Sequence, residues 1–155
     1  MKMRFEDRNT FYVSGYSMET SEETLEKDCA ALREKYEGQL RAVSDDLYFV
    51  SFMSKDGVVV SPMAEGGVMT YLLGVESKTQ IPATEGATCI EVPAARFVVA
   101  TVPDNVPILA TWHEFFEKGI PALGAAIDLE YNFYLESFDK NGTCELWIPV
   151  IKSDV

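Results

Sequence analysis

The sequence predicts an α+β protein of two β-α-β-β units, with antiparallel sheets, a helix on one face and a central ligand cleft shared by the units. Three observations carry this expectation. Two stretches of helical apolar spacing each follow one strand-like stretch and precede two more. An Asn-Gly turn closes the last pair. The same order recurs at a period of about 85 residues, without sequence identity between the halves. The expected halves are residues 1–78 and 89–155, joined by a linker over 78–88, and together they make a single domain.

Taken in order, Phe11–Ser17 is aromatic and β-branched and reads as a strand. Thr20 and Glu23 have capping-box spacing, and Leu25, Cys29, Leu32 and Tyr36 recur on one helical face. This predicts a helix over 21–37, ended by Gly38. Leu47–Met53 is strand-like, Val58–Val60 before Pro62 fits a short edge strand or an extended loop, and Gly66-Gly67 turns the chain into a strand over Val68–Val75. In the second half Arg96–Val102 reads as a strand. Asp104 or Asn105 can cap a helix whose stripe is Ile108, Trp112, Phe115 and Phe116, stopped by Gly119 or Pro121. Leu129–Phe138 and Cys144–Val150 are the closing strands, joined across Asp139–Gly142.

Composition narrows the function. The 155 residues are 47% hydrophobic, enough for a core, and 13 basic against 25 acidic residues give a net charge of −12. Neutralising phosphates requires clustered Lys and Arg, so direct nucleic-acid binding is not expected, whereas an acidic field favours cationic small molecules. No apolar run approaches the roughly 18–20 residues of a bilayer crossing. The charged start Met1–Arg8 is unlike a secretion signal, so a cytoplasmic protein is expected. Cys29, Cys89 and Cys144 lack metal or disulfide spacing and read as buried free thiols; neither a metal nor a cofactor is expected. His113 reads as a surface helix residue, and phosphate-loop and nucleophile-elbow motifs are absent.

The closing strands hold the candidate site. Leu146, Ile148 and Val150 alternate with Glu145, Trp147 and Pro149; Leu129, Tyr131, Phe133 and Leu135 alternate with Glu130, Asn132, Tyr134 and Glu136. If both apolar rows face the helices, Glu130 and Glu145 share the opposite, groove-facing side with Trp147 and Tyr134. Aromatic faces and carboxylates in one pocket suit a lipophilic cation. The same alternation also describes the solvated side of a one-faced sheet. Glu136 precedes the hairpin as well, which leaves the register near Glu130 open by a few residues.

The segments Tyr71–Glu76, Ala110–Trp112, Leu129–Tyr131 and Glu145–Val150, in that order, make the chain resemble the GyrI-like small-molecule-binding family, which includes effector-binding domains of multidrug-sensing and AraC-type regulators. The resemblance spans essentially the whole chain and implies a duplicated β-α-β-β fold of SHS2 type with a central cleft. It also implies hydrophobic, often cationic, ligands held by acidic residues of the last two strands. The matching positions are Glu130 and Glu145 with Trp147 as an aromatic wall; Tyr71 and Tyr134 are further candidate walls. The pattern leaves no room for a DNA-binding segment, so a stand-alone ligand-binding protein is expected. The resemblance also accommodates a hydrolase of lipophilic electrophiles with a Glu/Tyr pair, and a module acting on gyrase or on a regulator.

Overall fold

The computed structural model describes residues 1–151 except 22, 56–57, 61–67, 80–84, 129 and 132, and describes 52–55, 58–60 and 68–69 by their backbone alone. The strands are β1 (Met3–Arg8), β2 (Phe11–Thr20), β3 (Leu47–Lys55), β4 (Val58–Val60), β5 (Val68–Ser77), β6 (Thr88–Val92), β7 (Ala95–Thr101), β8 (Tyr134–Phe138) and β9 (Cys144–Val150). Helix α1 is Leu25–Arg41; a second helical stretch runs through α2 (Ile108–Glu114), a π turn (Phe115–Gly119) and α3 (Ile120–Ala122). Every strand pairing is antiparallel, in the order β1-β7-β9-β8-β3-β5-β2-β6, with β4 added to β3. The α+β class read from the sequence is the observed one. Among the described residues no helix is long and apolar enough to cross a membrane.

Each face of the sheet carries its own core. On the helix side, Leu32 and Leu40 of α1 and Phe115 and Ile120 of the second helical stretch pack on Leu47, Phe49, Leu73, Leu146 and Ile148. On the other side Phe11, Val13, Val50, Leu72, Phe97, Val99, Leu135 and Trp147 are buried without any helix among them. Curvature buries this second core. Five strand spacings of about 4.8 Å separate β1 from β5 along the sheet, yet Arg8 on β1 donates to Glu76 on β5 at 2.6 Å. The same guanidinium lies 4.0 Å from the centre of the Phe11 ring. Replacing Phe97, fully buried against Trp147 at 5.7 Å between ring centres, by Ala should cost about 3–5 kcal/mol. Urea unfolding measures this loss.

Several boundaries differ from the sequence reading, each for a local reason. β1 was not expected from Met3-Arg4-Phe5-Glu6-Asp7-Arg8; as an edge strand it needs only one partner, β7, and leaves its polar residues in solvent. Helix α1 starts at Leu25 and not at residue 21, because the hydroxyls of Thr20 and Thr24 both donate to Asp28, at 2.7 and 2.8 Å, and Thr20 makes no capping box with Glu23. It runs past Gly38 to Arg41, since Leu40 is fully buried and tertiary packing outweighs a glycine's helix penalty. Neither Asp104 nor Asn105 caps α2; Pro107 holds that position, and Asn105 takes a φ of 64° in the loop before it.

Gly119 and Pro121 do not stop the second helical stretch. Ile120 N–H bonds to the carbonyl of Phe115, a π-type step, and Pro121 then falls in the first turn of α3, where a missing donor is harmless. The chain leaves the helix at Gly124, with φ +66°. Thr88–Val92, to which the sequence reading assigned no element, forms β6 on the edge of β2. The Gly66-Gly67 turn lies outside the described residues. β8 is Tyr134–Phe138: the Asp128 side chain accepts from Glu130 N–H at 3.1 Å, and Tyr131 N–H bonds back to the Asp128 carbonyl, so Glu130 and Tyr131 lie in a turn and not in the expected strand, while Leu129 and Asn132 are outside the described residues. The hairpin at Asp139–Gly142 forms as expected, with Asp139 accepting from the N–H groups of Asn141 and Thr143.

Candidate functional site

The hairpin register decides which side chains meet. Phe138 stands opposite Cys144, so Glu136 is opposite Leu146 and Leu135 opposite Trp147. Directly opposed residues share a face. Leu146, Ile148 and Val150 do face the helices, but on β8 the row that accompanies them is Tyr134, Glu136 and Phe138. The two apolar rows therefore lie on opposite sides of the sheet, against the sequence reading.

This parity separates the five candidate residues. Tyr71 and Tyr134 lie together in the helix-side core. Trp147 is buried on the other side, edge-on to Phe97, with its indole N–H donating to Ser137 Oγ at 2.9 Å. Glu145 shares that side and is ion-paired with Arg4. Glu130 is exposed in the turn before β8. Glu130 and Glu145 thus share no pocket, and Trp147 serves as core instead of an aromatic wall.

The carboxyl that the helices do enclose belongs to Glu136. It sits on β8 beside β3, the two middle strands, with Phe49 of β3 and Leu146 of β9 as cross-strand neighbours. Trp112 of α2 reaches down to it, and the indole Nε1–H donates to Glu136 Oε1 at 2.7 Å. Trp112 stacks on Phe116 and Tyr134 at 5.7 and 5.9 Å between ring centres, and Phe49 meets Tyr71 edge-on at 6.0 Å. Trp112 and Phe116 are half-buried, while Phe115 is wholly core. His113 points to solvent. The side of α1 nearest this place brings Cys29 and Arg33, whose guanidinium lies 4.6 Å from the Phe138 ring centre.

Glu136 is half-buried, with the side chains of β3, β9, α1 and α2 packed around it. Burial raises its pKa above the usual carboxylate range; the Trp112 hydrogen bond and the Arg33 charge oppose this without reversing it. The surrounding acids respond likewise. Burial pushes the Cys29 thiol up to about 12, and raises Tyr71 and Cys144, with the Glu136 charge adding to each. A carboxyl in such surroundings is stabilised by a positive guest and ringed by the aromatic faces that attract one.

Residues 4–150 match the family of integron-associated effector binding proteins. Among similar solved structures is an integron cassette protein from the mobile metagenome of Vibrio cholerae, 17% identical, with a TM-score of 0.65 over 96% of this chain and 95% of that one. SAV2435, solved bound to tetraphenylphosphonium, is 12% identical with a TM-score of 0.66, over 97% of this chain and 94% of that one. The C-terminal domain of EcmrR is 10% identical with a TM-score of 0.59, over 98% of both chains. These likenesses establish a shared fold. No curated protein matches the chain in sequence.

Proposed function

Because the chain belongs to the family of integron-associated effector binding proteins, and so to the GyrI-like group that its sequence resembles, we propose that it binds hydrophobic, positively charged small molecules between its two helical stretches. The observation that carries this reading is the Glu136 carboxyl, enclosed among Trp112, Phe116, Tyr134 and Tyr71 and hydrogen-bonded by one indole N–H. A cationic guest supplies the counter-charge that burial denies the carboxylate. Flat aromatic walls add about 0.5–2 kcal/mol per cation–π contact and bury the guest's apolar surface at roughly 25 cal/mol per Å². Effector binding by the family and the tetraphenylphosphonium held by SAV2435 support the ligand class.

Trp112 gives the reading its experiment. A guest that approaches Glu136 meets the indole that now covers it, so tetraphenylphosphonium should change Trp112 fluorescence saturably. The change should vanish in Trp112→Phe, where only Trp147 in the opposite core remains to emit. Triphenylphosphine oxide, aromatic but uncharged, should bind at least about tenfold more weakly. Equal affinity for the two compounds, or a signal that survives Trp112→Phe, would remove the proposed site.

A further inference from the structure

A depression lies on the helix side, away from Glu136, between the edge strand β1 and the segment that follows α3. Its volume is about 390 Å³, and its walls include Phe5, Leu123, Ala125, Ala126 and Ile151 around Arg96. That volume is within the roughly 300–1,000 Å³ of ligand cavities. Phe5, Leu123 and Ile151 are exposed at 43%, 37% and 59%, which puts three large apolar side chains side by side on the surface of a strongly acidic protein.

Arg96 is the unusual member. Of the arginines in the chain, Arg4, Arg8, Arg33 and Arg41 each bind a carboxylate, and among the described residues Arg96 alone does not. Its Nε is buried and has no hydrogen-bond partner, and among the described residues its side chain makes no ion pair. Asp7 stands directly opposite on β1, yet the guanidinium lies against the Phe5 ring, 4.6 Å from its centre, and does not pair with Asp7. A guanidinium buried in part and lacking an acceptor has paid desolvation that an oxygen anion would restore.

We infer that this depression is a binding site for a small aliphatic carboxylic acid, whose carboxylate meets Arg96 and whose chain lies along Phe5, Leu123, the two alanines and Ile151. The charge preference is opposite to that of Glu136, so the two sites take different classes of compound. Walls that among the described residues carry no other polar side chain admit an alkyl tail, and one fixed cation at the floor orients its head.

Calorimetric titration with sodium decanoate, below the concentration at which it forms micelles, tests the assignment, with decylammonium and 1-decanol as charge controls. Decanoate should bind and the two controls should not compete for the site. Arg96→Met, which keeps the aliphatic stem, should weaken decanoate by about tenfold or more, while Glu136→Gln should leave it unchanged. If Arg96→Met does not fold, Leu123→Glu on the rim carries the test: it sets a like charge beside the carboxylate and should weaken decanoate comparably. The assignment fails if decanoate shows no binding, if decanol binds as tightly, or if the folded variants keep wild-type affinity.

Discussion

Glu136→Gln is expected to weaken tetraphenylphosphonium by about 10- to 100-fold, the cost of removing a charged partner from a desolvated contact, while making the empty protein more stable at neutral pH. Gln keeps an oxygen for the Trp112 indole and nearly the same shape, so little but charge is lost. The stability gain follows from linkage. Burial raises the folded-state pKa of Glu136 above its unfolded value, so the folded state holds a proton that the unfolded chain has released between those two values. Wild-type stability therefore falls as pH rises through that window and stays lower above it. The variant lacks this fall, so its advantage should be full above the raised pKa and absent below the ordinary carboxylate range. Cation affinity of the wild type should decline as pH drops through the same window. Urea melts and dye titrations across pH measure both. A variant that binds as well as wild type, or is no more stable at neutral pH, would show that Glu136 carries no desolvated charge.

The second large effect is expected at Gly15. It faces Gly74 across β2 and β5 and Thr88 across β6, so strands pack against it on both sides. A Cβ at Gly15 would fall 1.9 Å from the Leu73 carbonyl oxygen and 2.5 Å from the Gly74 Cα. Both obstacles are backbone, and neither can rotate away. Gly15→Ala should therefore cost more than about 3 kcal/mol, a large share of the roughly 5–15 kcal/mol that holds a domain folded. Gly38→Ala is the matched control: an added Cβ there meets nothing within 4 Å and the helix continues through it. That change should stabilise by about 0.5–1 kcal/mol. Urea denaturation of the pair gives the comparison, and a Gly15→Ala protein as stable as wild type would contradict the close approach of β2 and β5.

Much of the architecture was legible because apolar periodicity and turn residues are local signals. The strands at Phe11, Leu47 and Arg96, both helical stretches and the Asn-Gly hairpin can be read from their own residues. β1 could not, since its pairing with β7 is set by a partner about ninety residues away. Glu136 was half legible. Alternation placed it in one row with Tyr134, but taking both apolar rows of the hairpin toward the helices sent that row to the wrong side. The missing step was register: with the turn at Asn141-Gly142, Glu136 pairs with Leu146, and an apolar row on β9 forces the polar row of β8 to the same face. Trp112 read as core because its spacing matches Phe115 and Phe116; only the distance to Glu136 distinguishes it.

The exchange of edge strands has a consequence for how the molecule is made. Among the described residues β1 pairs only with β7 and β6 only with β2, so neither half completes its sheet alone. On a ribosome adding about 5–20 residues each second, β1 waits several seconds for β7 to emerge. Until then the earlier strands carry an open stretch of the β3 edge, Leu47–Ser51, which β8 covers near the end of synthesis; β4 takes the Met53–Lys55 end. Nascent chains of this protein should thus depend on chaperone shielding until translation is almost finished.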